Sequence, residues 1–321
     1  MLTERENALR MIRRSGDAQW ISDDSLCFTT VFPTAMNERP RFLQDGVDWF
    51  GCKWYWEHGT GGHMQRPDLD GVPIPDITRW EEYLIVPDFA SIDFEAAAKR
   101  DMANVDRENT LVNIMMESGP FERIIALLSM EEALASMYEE PECFKALINR
   151  LTDIRVELID RIAAAYKPDI ILQMDDLGSE RAPLISVDMY RELIKPCHIR
   201  QSEAIHRNGC IHLQHSCGRM AEFIEDLLEV GVDMIHPLQD CNDHAACLEK
   251  YGDRVTFYGC TGRVKSRADA TPEEVRADIR RVCDLFGPYK NCIVQTGCGT
   301  RELTSVQRAE LADYGHRIYL P

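Results

Sequence analysis

The chain has 321 residues, 45% of them hydrophobic and 28% charged, and a formal net charge of -18 at pH 7. This is the balance of a soluble globular protein, and the excess of carboxylates argues against nucleic acid and anionic membrane surfaces as partners and, less strongly, against a polycarboxylate substrate. No apolar run approaches the roughly 18 residues of a membrane span, and the opening MLTERENALRMIRR is charged throughout, unlike a signal peptide. A cytoplasmic protein is therefore expected, with its twelve cysteines mostly reduced and many of them simply buried. One domain spanning residues 1–321 suits an α/β barrel better than other single-domain folds of this length.

Residues 3–14 predict a helix, with Thr3 as cap, Glu6 three residues on, and Ala8, Leu9 and Ile12 as an apolar stripe. Trp20-Ile21 and Leu26 to Val31 are short extended pieces, and residues 32–47 read as loop, with a short helix as the alternative. Val47 to Trp56 is aromatic-rich and suits strand or hairpin. The segment from Glu57 to His63 follows, and its glycines allow close backbone approach to a ligand. Asp68 to Pro75 is a proline-spaced connector. Thr78 to Leu84 is helix-like, and Ser91 to Met102 is an amphipathic helix.

From Thr110 the pattern becomes regular. Leu111 to Met116 is a strand ending at Glu117-Ser-Gly-Pro120, one or two helices run from Phe121 to Met137, and Pro141 opens another to about Tyr166. Asp169 to Met174 is a buried strand ending in Asp175-Asp176. Ser186 to Asn208 is helical with Pro196 as a kink or break. Ile211 to His215 is a strand, and Met220 to Val230 an amphipathic helix. Strands then lead from Asp233 into Leu238-Gln239, from Val255 into Gly259-Cys260, and from Cys292 into Gly297-Cys298-Gly299. Thr271-Pro-Glu-Glu274 starts a helix between the last two, and residues 304–315 make the final one. Alternating strands and helices imply a parallel sheet. Polar, glycine and cysteine residues at successive strand ends are the pattern of a (β/α)8 TIM barrel, here with an N-terminal helical extension. No G-x-G-x-x-G fingerprint follows a strand, which weakens the open doubly wound alternative.

Residues two apart on a strand share a face, so His215 and Cys217 project side by side. An imidazole and a thiolate are half of a zinc site. Cys298 is a third ligand from another strand end, and Cys260 competes with it on spacing alone. Asp175 and Asp176 end a strand where either could ligate metal, act as a base or anchor substrate. Glu117 has the same placement and could ligate the metal at rest. Gln239 could hydrogen-bond substrate, and His58 and His63 sit in the glycine-rich loop, where they could border the pocket and bind substrate. His212 and His236 alternate with apolar neighbours, as core histidines do.

HSCG at 215–218 and TGCG at 296–299 resemble the metal-ligand segments of the uroporphyrinogen decarboxylase superfamily, in its zinc-dependent, corrinoid-linked methyltransferase branch. ENALRMIRR, DITRWEEY at 76–83, MESGPFE at 116–122 and MDDLGSE at 174–180 extend the likeness over most of the chain. The resemblance implies a (β/α)8 barrel and zinc held by His215, Cys217 and Cys298. It also implies methyl transfer between a small substrate, such as a methylated ether, amine or thiol, and the corrinoid of a separate partner protein. This chain carries no Asp-x-His-x-x-Gly corrinoid-binding stretch. The decarboxylases of the superfamily hold substrate carboxylates with an arginine-rich N-terminal segment, whereas residues 20–38 here contain no arginine. A decarboxylase-type lyase and a non-catalytic small-molecule-binding barrel are the two competing expectations.

Overall fold

A computed structural model describes residues 2–59, 62–259, 269–290, 292–297 and 299–319. Seven parallel strands form one curled sheet: β1 (Phe28–Val31), β5 (Leu111–Met116), β6 (Ile170–Met174), β7 (Ile211–His215), β8 (Met234–His236), β9 (Thr256–Tyr258) and β10 (Cys292–Ile293). Their spatial order follows chain order, so every neighbour is reached by a crossover of the same kind. This α/β architecture is consistent with a TIM-like barrel. β5 and β6 are buried nearly end to end, as parallel strands covered on both faces must be.

An antiparallel annex of β2 (Gly46–Val47), β3 (Lys53–Glu57) and β4 (Gly62–Met64) interrupts the first crossover. Asp48 explains why it stays in place. Its Oδ1 accepts from the amides of Phe50 and Cys52, and its Oδ2 from Trp54 Nε1 and from buried Arg123.

The helices follow their caps. The first, α1 (Glu4–Ile12), has the Thr3/Glu6 capping box. Asp93 caps α2 (Phe94–Asp101). The stretch from Phe121 to Met137 is two helices, α3 (Pro120–Leu128) and α4 (Met130–Glu139). They part at Ser129, whose φ of 89° no α-helix accepts and whose hydroxyl caps the second. The long α5 (Pro141–Tyr166) buries Phe144, Leu147, Ile148, Leu151, Ile154, Leu158, Ile159 and Ile162 at helical spacing. The helical run that opens at Val187 widens into a π-turn at Tyr190–Ile194 and resumes as α6 (Lys195–Arg207), so the expected irregularity lies next to Pro196. α7 (Ile224–Val230) follows. α8 (His244–Tyr251), capped by Asp243, was not foreseen: it is short and its apolar stripe is weak. α9 (Pro272–Phe286) has the expected Thr271/Glu274 box, and α10 (Arg301–Glu310) continues through a π-turn. No helix among the described residues is long and apolar enough to cross a membrane.

The N-terminal extension packs against the sheet's lower rim. Arg5 bonds Asp169, ahead of β6, and the carbonyl of Thr110, ahead of β5, while Thr256 at the start of β9 donates to the carbonyls of Met11 and Ile12. The opposite rim, at the strands' C-terminal ends, is left to the site. There Asp24, just before β1, accepts from the amide (2.8 Å) and hydroxyl (2.7 Å) of Thr296, just after β10. The two edge strands are thus tied by side chains.

Candidate metal centre

β7 and β6 end side by side, with His215 registered against Met174. Beyond them the chain turns in two loops, 175–179 and 215–218, that lie against each other. Gly218 has φ 73°, and a Cβ there would meet the backbone of Gly178 at 2.5 Å. Only glycine fits, which is why the Cys-Gly and Leu-Gly pairs stand where they do. Within the paired loops Asp176 Oδ1 accepts from the Cys217 amide (2.7 Å), Ser216 Oγ from the Leu177 amide (2.9 Å), and Gln239 Oε1 from the Gly218 amide (2.7 Å).

This brings Asp176, His215 and Cys217 together, with one ligand atom from each inside a 4.8 Å span. Cys217 Sγ lies 3.3 Å from His215 Nε2, which lies 3.6 Å from Asp176 Oδ1. A tetrahedral zinc ion with ordinary bond lengths sets sulfur and nitrogen about 3.6 Å apart and nitrogen and oxygen about 3.4 Å apart. Thiolate, imidazole and carboxylate are also the donors zinc takes, so both spacing and chemistry fit a divalent cation. Burial, reinforced by the Asp176 and Glu122 carboxylates, pushes the Cys217 thiol up to about 12. Burial likewise raises the Asp176 carboxyl above its usual range. Two acidic groups crowded out of water in this way are what a cation would relieve.

The other residues singled out from the sequence are distributed as follows. Asp175 is buried and faces away from the cluster. Its Oδ1 accepts from the amide of Glu122 and its Oδ2 from that of Phe121, at the start of α3, and Oδ2 lies 2.9 Å from His198 Nε2. The helix-capping role is thus taken by this aspartate and the open position by its neighbour. Glu117, just past the end of β5, lines a cavity of about 330 Å³ with Phe32, Met36, Arg39, Arg41, Phe42 and His63 among its walls; none of the three cluster residues lines it. Burial raises the Glu117 carboxyl above the usual range. His63 reaches the cavity from β4, with Nε2 3.0 Å from the Gln44 carbonyl and its ring edge-on to Trp56. His58 is exposed in the β3–β4 turn and is not among the described lining residues. Gln239 spends its side-chain oxygen on the loop and so orients Cys217. Cys298 and its competitor Cys260 lie outside the described residues.

Several contributors were not anticipated. Arg39 and Arg41 begin one residue after the arginine-free stretch. Arg39 is held by Ser118 Oγ and Glu122, each at 2.8 Å, and its charge reaches both Glu117 and Asp176. Arg41 is exposed and has no carboxylate partner among the described residues. His236 lies with Nδ1 2.7 Å from His215 Nδ1. Its position at the end of a strand adjoining β7 was the available signal. His212, one strand face away, is fully buried, and burial drives its imidazole down to about 3, so it stays a neutral core residue.

A family model described as Uroporphyrinogen decarboxylase (URO-D) matches residues 63–312. The methylated-thiol:coenzyme M methyltransferase of Methanosarcina mazei is 25% identical over 264 residues, 81% of this chain, and the match spans 66% of that relative's length. A solved structure titled methyltransferase from Methanosarcina mazei superposes with a TM-score of 0.71 over all of both chains at 15% identity, a likeness of fold. With the family model covering more than three quarters of it, the chain belongs to the uroporphyrinogen decarboxylase family.

Proposed function

We propose that this protein is a zinc-dependent methyltransferase that moves a methyl group between a small substrate and the corrinoid of a partner protein. The observation that carries the reading is the thiol, imidazole and carboxylate gathered at tetrahedral spacing on the C-terminal rim. The similarity to a relative named for methylated thiols and coenzyme M supports it. In this reading residues 1–321 form one closed (β/α)8 barrel. His215, Cys217 and Asp176 hold zinc, and Cys298 joins them from the end of the last strand.

Zinc bound there supplies Lewis acidity, holding a thiol as thiolate or stabilising the charge left on sulfur or oxygen. The methyl group itself moves as a cation equivalent: its bond to the donor breaks with the electron pair left on the donor, and the acceptor's pair forms the new bond. The chain's residues bind and orient. Phe32, Met36, Phe42 and Met115 offer apolar contacts at the cavity wall, His63 and Arg41 offer polar ones, and Glu117 presents a carboxyl that burial raises above its usual range.

The decarboxylase reading draws on the same cavity, because two arginines line it. Arg39 is already neutralised by Glu122, which leaves Arg41 as the arginine with no described carboxylate partner, too little for a substrate with many carboxylates. The test is zinc analysis followed by demethylation of methylcobalamin, free or on a corrinoid protein, by simple thiols. About one zinc per chain with thiol-dependent demethylation is expected. Stoichiometric zinc without turnover would leave a binding protein, and metal-independent carboxyl loss from a porphyrinogen would leave a lyase.

A further inference from the structure

The rim that carries His215 continues through β8, β9 and β10 to the segment before β1, and each contributes one polar side chain. His215 Nδ1 lies 2.7 Å from His236 Nδ1, and His236 Nε2 lies 3.3 Å from Gln295 Oε1. The Gln295 side chain also neighbours the Tyr258 hydroxyl. That hydroxyl donates to Asp24 Oδ2 at 2.9 Å, while Asp24 Oδ1 accepts from Thr296. The rings overlap as they go round: centroids are 4.9 Å apart for His215 and His236, 5.1 Å for His236 and Tyr258, and 5.3 Å for Tyr258 and Phe28. Gly259 makes room for this. Its φ is 76°, and a Cβ there would stand 2.6 Å from His236 Cδ2 and 2.9 Å from Nε2.

We propose that Asp24, Tyr258, Gln295 and His236 form a hydrogen-bond chain of fixed direction that holds His215 in the tautomer able to bind metal through Nε2. The direction follows from chemistry at the far end. A carboxylate only accepts, so Asp24 takes the Tyr258 proton. The Tyr258 oxygen is then the acceptor for the Gln295 amide N–H, which orients that amide with its oxygen toward His236. His236 Nε2 must donate to it, so His236 Nδ1 carries no proton and accepts from His215 Nδ1–H. The proton of His215 is thereby on Nδ1, and Nε2, facing Cys217 Sγ and Asp176 Oδ1, is unprotonated. The opposite assignment would protonate His215 Nε2 and require a donor at Asp24. Such an outer partner fixes ring orientation and raises ligand basicity. What is unusual here is its length: a carboxylate ahead of the first strand, lying beyond three intervening side chains, sets the ligand. The four are positioning residues, and the inference rests on the metal-centre reading above.

Two measurements test it, and neither needs methyl transfer. Long-range 15N-1H spectra of metal-free protein should show His215 as the Nδ1–H form and His236 as the Nε2–H form. Zinc affinity, read by chelator competition, should fall about 10- to 100-fold in His236→Phe, the usual loss when an outer partner is removed. It should return most of the way in His236→Asn, whose amide oxygen can take the place of Nδ1. Tyr258→Phe, which cannot touch the metal, should weaken zinc by a smaller factor and populate the Nε2–H form of His215. Finding His215 as the Nε2–H form in the wild type overturns the proposal, as does unchanged zinc affinity in His236→Phe. Because the spectra are taken without metal, they decide the matter even in a preparation that transfers no methyl group, a result that would count against the proposed function alone.

Discussion

Asp176 can be tested for two jobs at once. Its Oδ1 clamps the Cys217 amide at 2.7 Å and also lies 3.6 Å from His215 Nε2, at ligand spacing. Asp176→Asn keeps the size and an oxygen acceptor for the clamp but removes the charge. Asp176→Ala removes both. If the carboxylate is a zinc ligand, the asparagine variant should lose more than the about 10- to 100-fold that follows removal of an outer partner. A loss of about 100-fold corresponds to about 2.8 kcal/mol. The metal-free proteins should rank differently. Burial raises the Asp176 carboxyl, so the neutral amide should leave stability unchanged or improved. The alanine variant should lose about 1–3 kcal/mol from the orphaned amide. Chelator competition and urea unfolding, run side by side on both variants, separate the roles. An asparagine variant that binds zinc with wild-type affinity would refute the ligand assignment and leave Asp176 a clamp.

Glu117→Gln should keep its zinc and lose methyl-transfer activity, since Glu117 lines the cavity and is not in the metal cluster; loss of zinc instead would place it on the metal. Gly259→Ala should lose about 1–2 kcal/mol because an L-residue is strained at φ 76°. It should also weaken zinc by displacing His236, so a variant of normal zinc affinity would argue against that packing. Burial pushes the Glu38 carboxyl up to about 7 despite Arg155 at 2.9 Å. A raised folded-state pKa means that the folded protein holds a proton the unfolded chain, near 4.5, has released. The stability from this group is therefore full below pH 4.5 and lost as pH rises through 7. Urea midpoints measured from pH 5 to 8 should carry this downward contribution, and Glu38→Gln should remove it; an unchanged slope in the variant would refute it.

The strand and helix rhythm from Leu111 onward was legible because parallel strands buried on both faces must be short apolar runs, and because a cap such as Thr271 announces a helix start. The breaks were less legible. Pro196 announced the irregularity beside it, but the break at Ser129 depends on where the surrounding helices must end to pack, and α8 has too weak a stripe to be seen in isolation. At the site, His215 and Cys217 could be paired from strand alternation alone. The choice between Asp175 and Asp176 could not be made, because it turns on which carboxylate meets the amides opening α3. His236 read as a core histidine for the same reason: its apolar neighbours are visible in the sequence, and the imidazole it faces comes from another strand.

The sequence by itself determined that strands and helices alternate, that glycine, cysteine and acidic residues collect at strand ends, and that His215 and Cys217 share a face. Those are consequences of periodicity and covalent neighbourhood, which act over a few residues. The tertiary structure decided which distant groups meet. It set Asp176 beside His215, gave Asp175 to helix α3, placed Arg39 and Arg41 on the cavity wall, and brought the ring of His236 against that of His215. Such meetings are fixed by sheet curl and by glycines that let backbones touch, and those act across the whole chain.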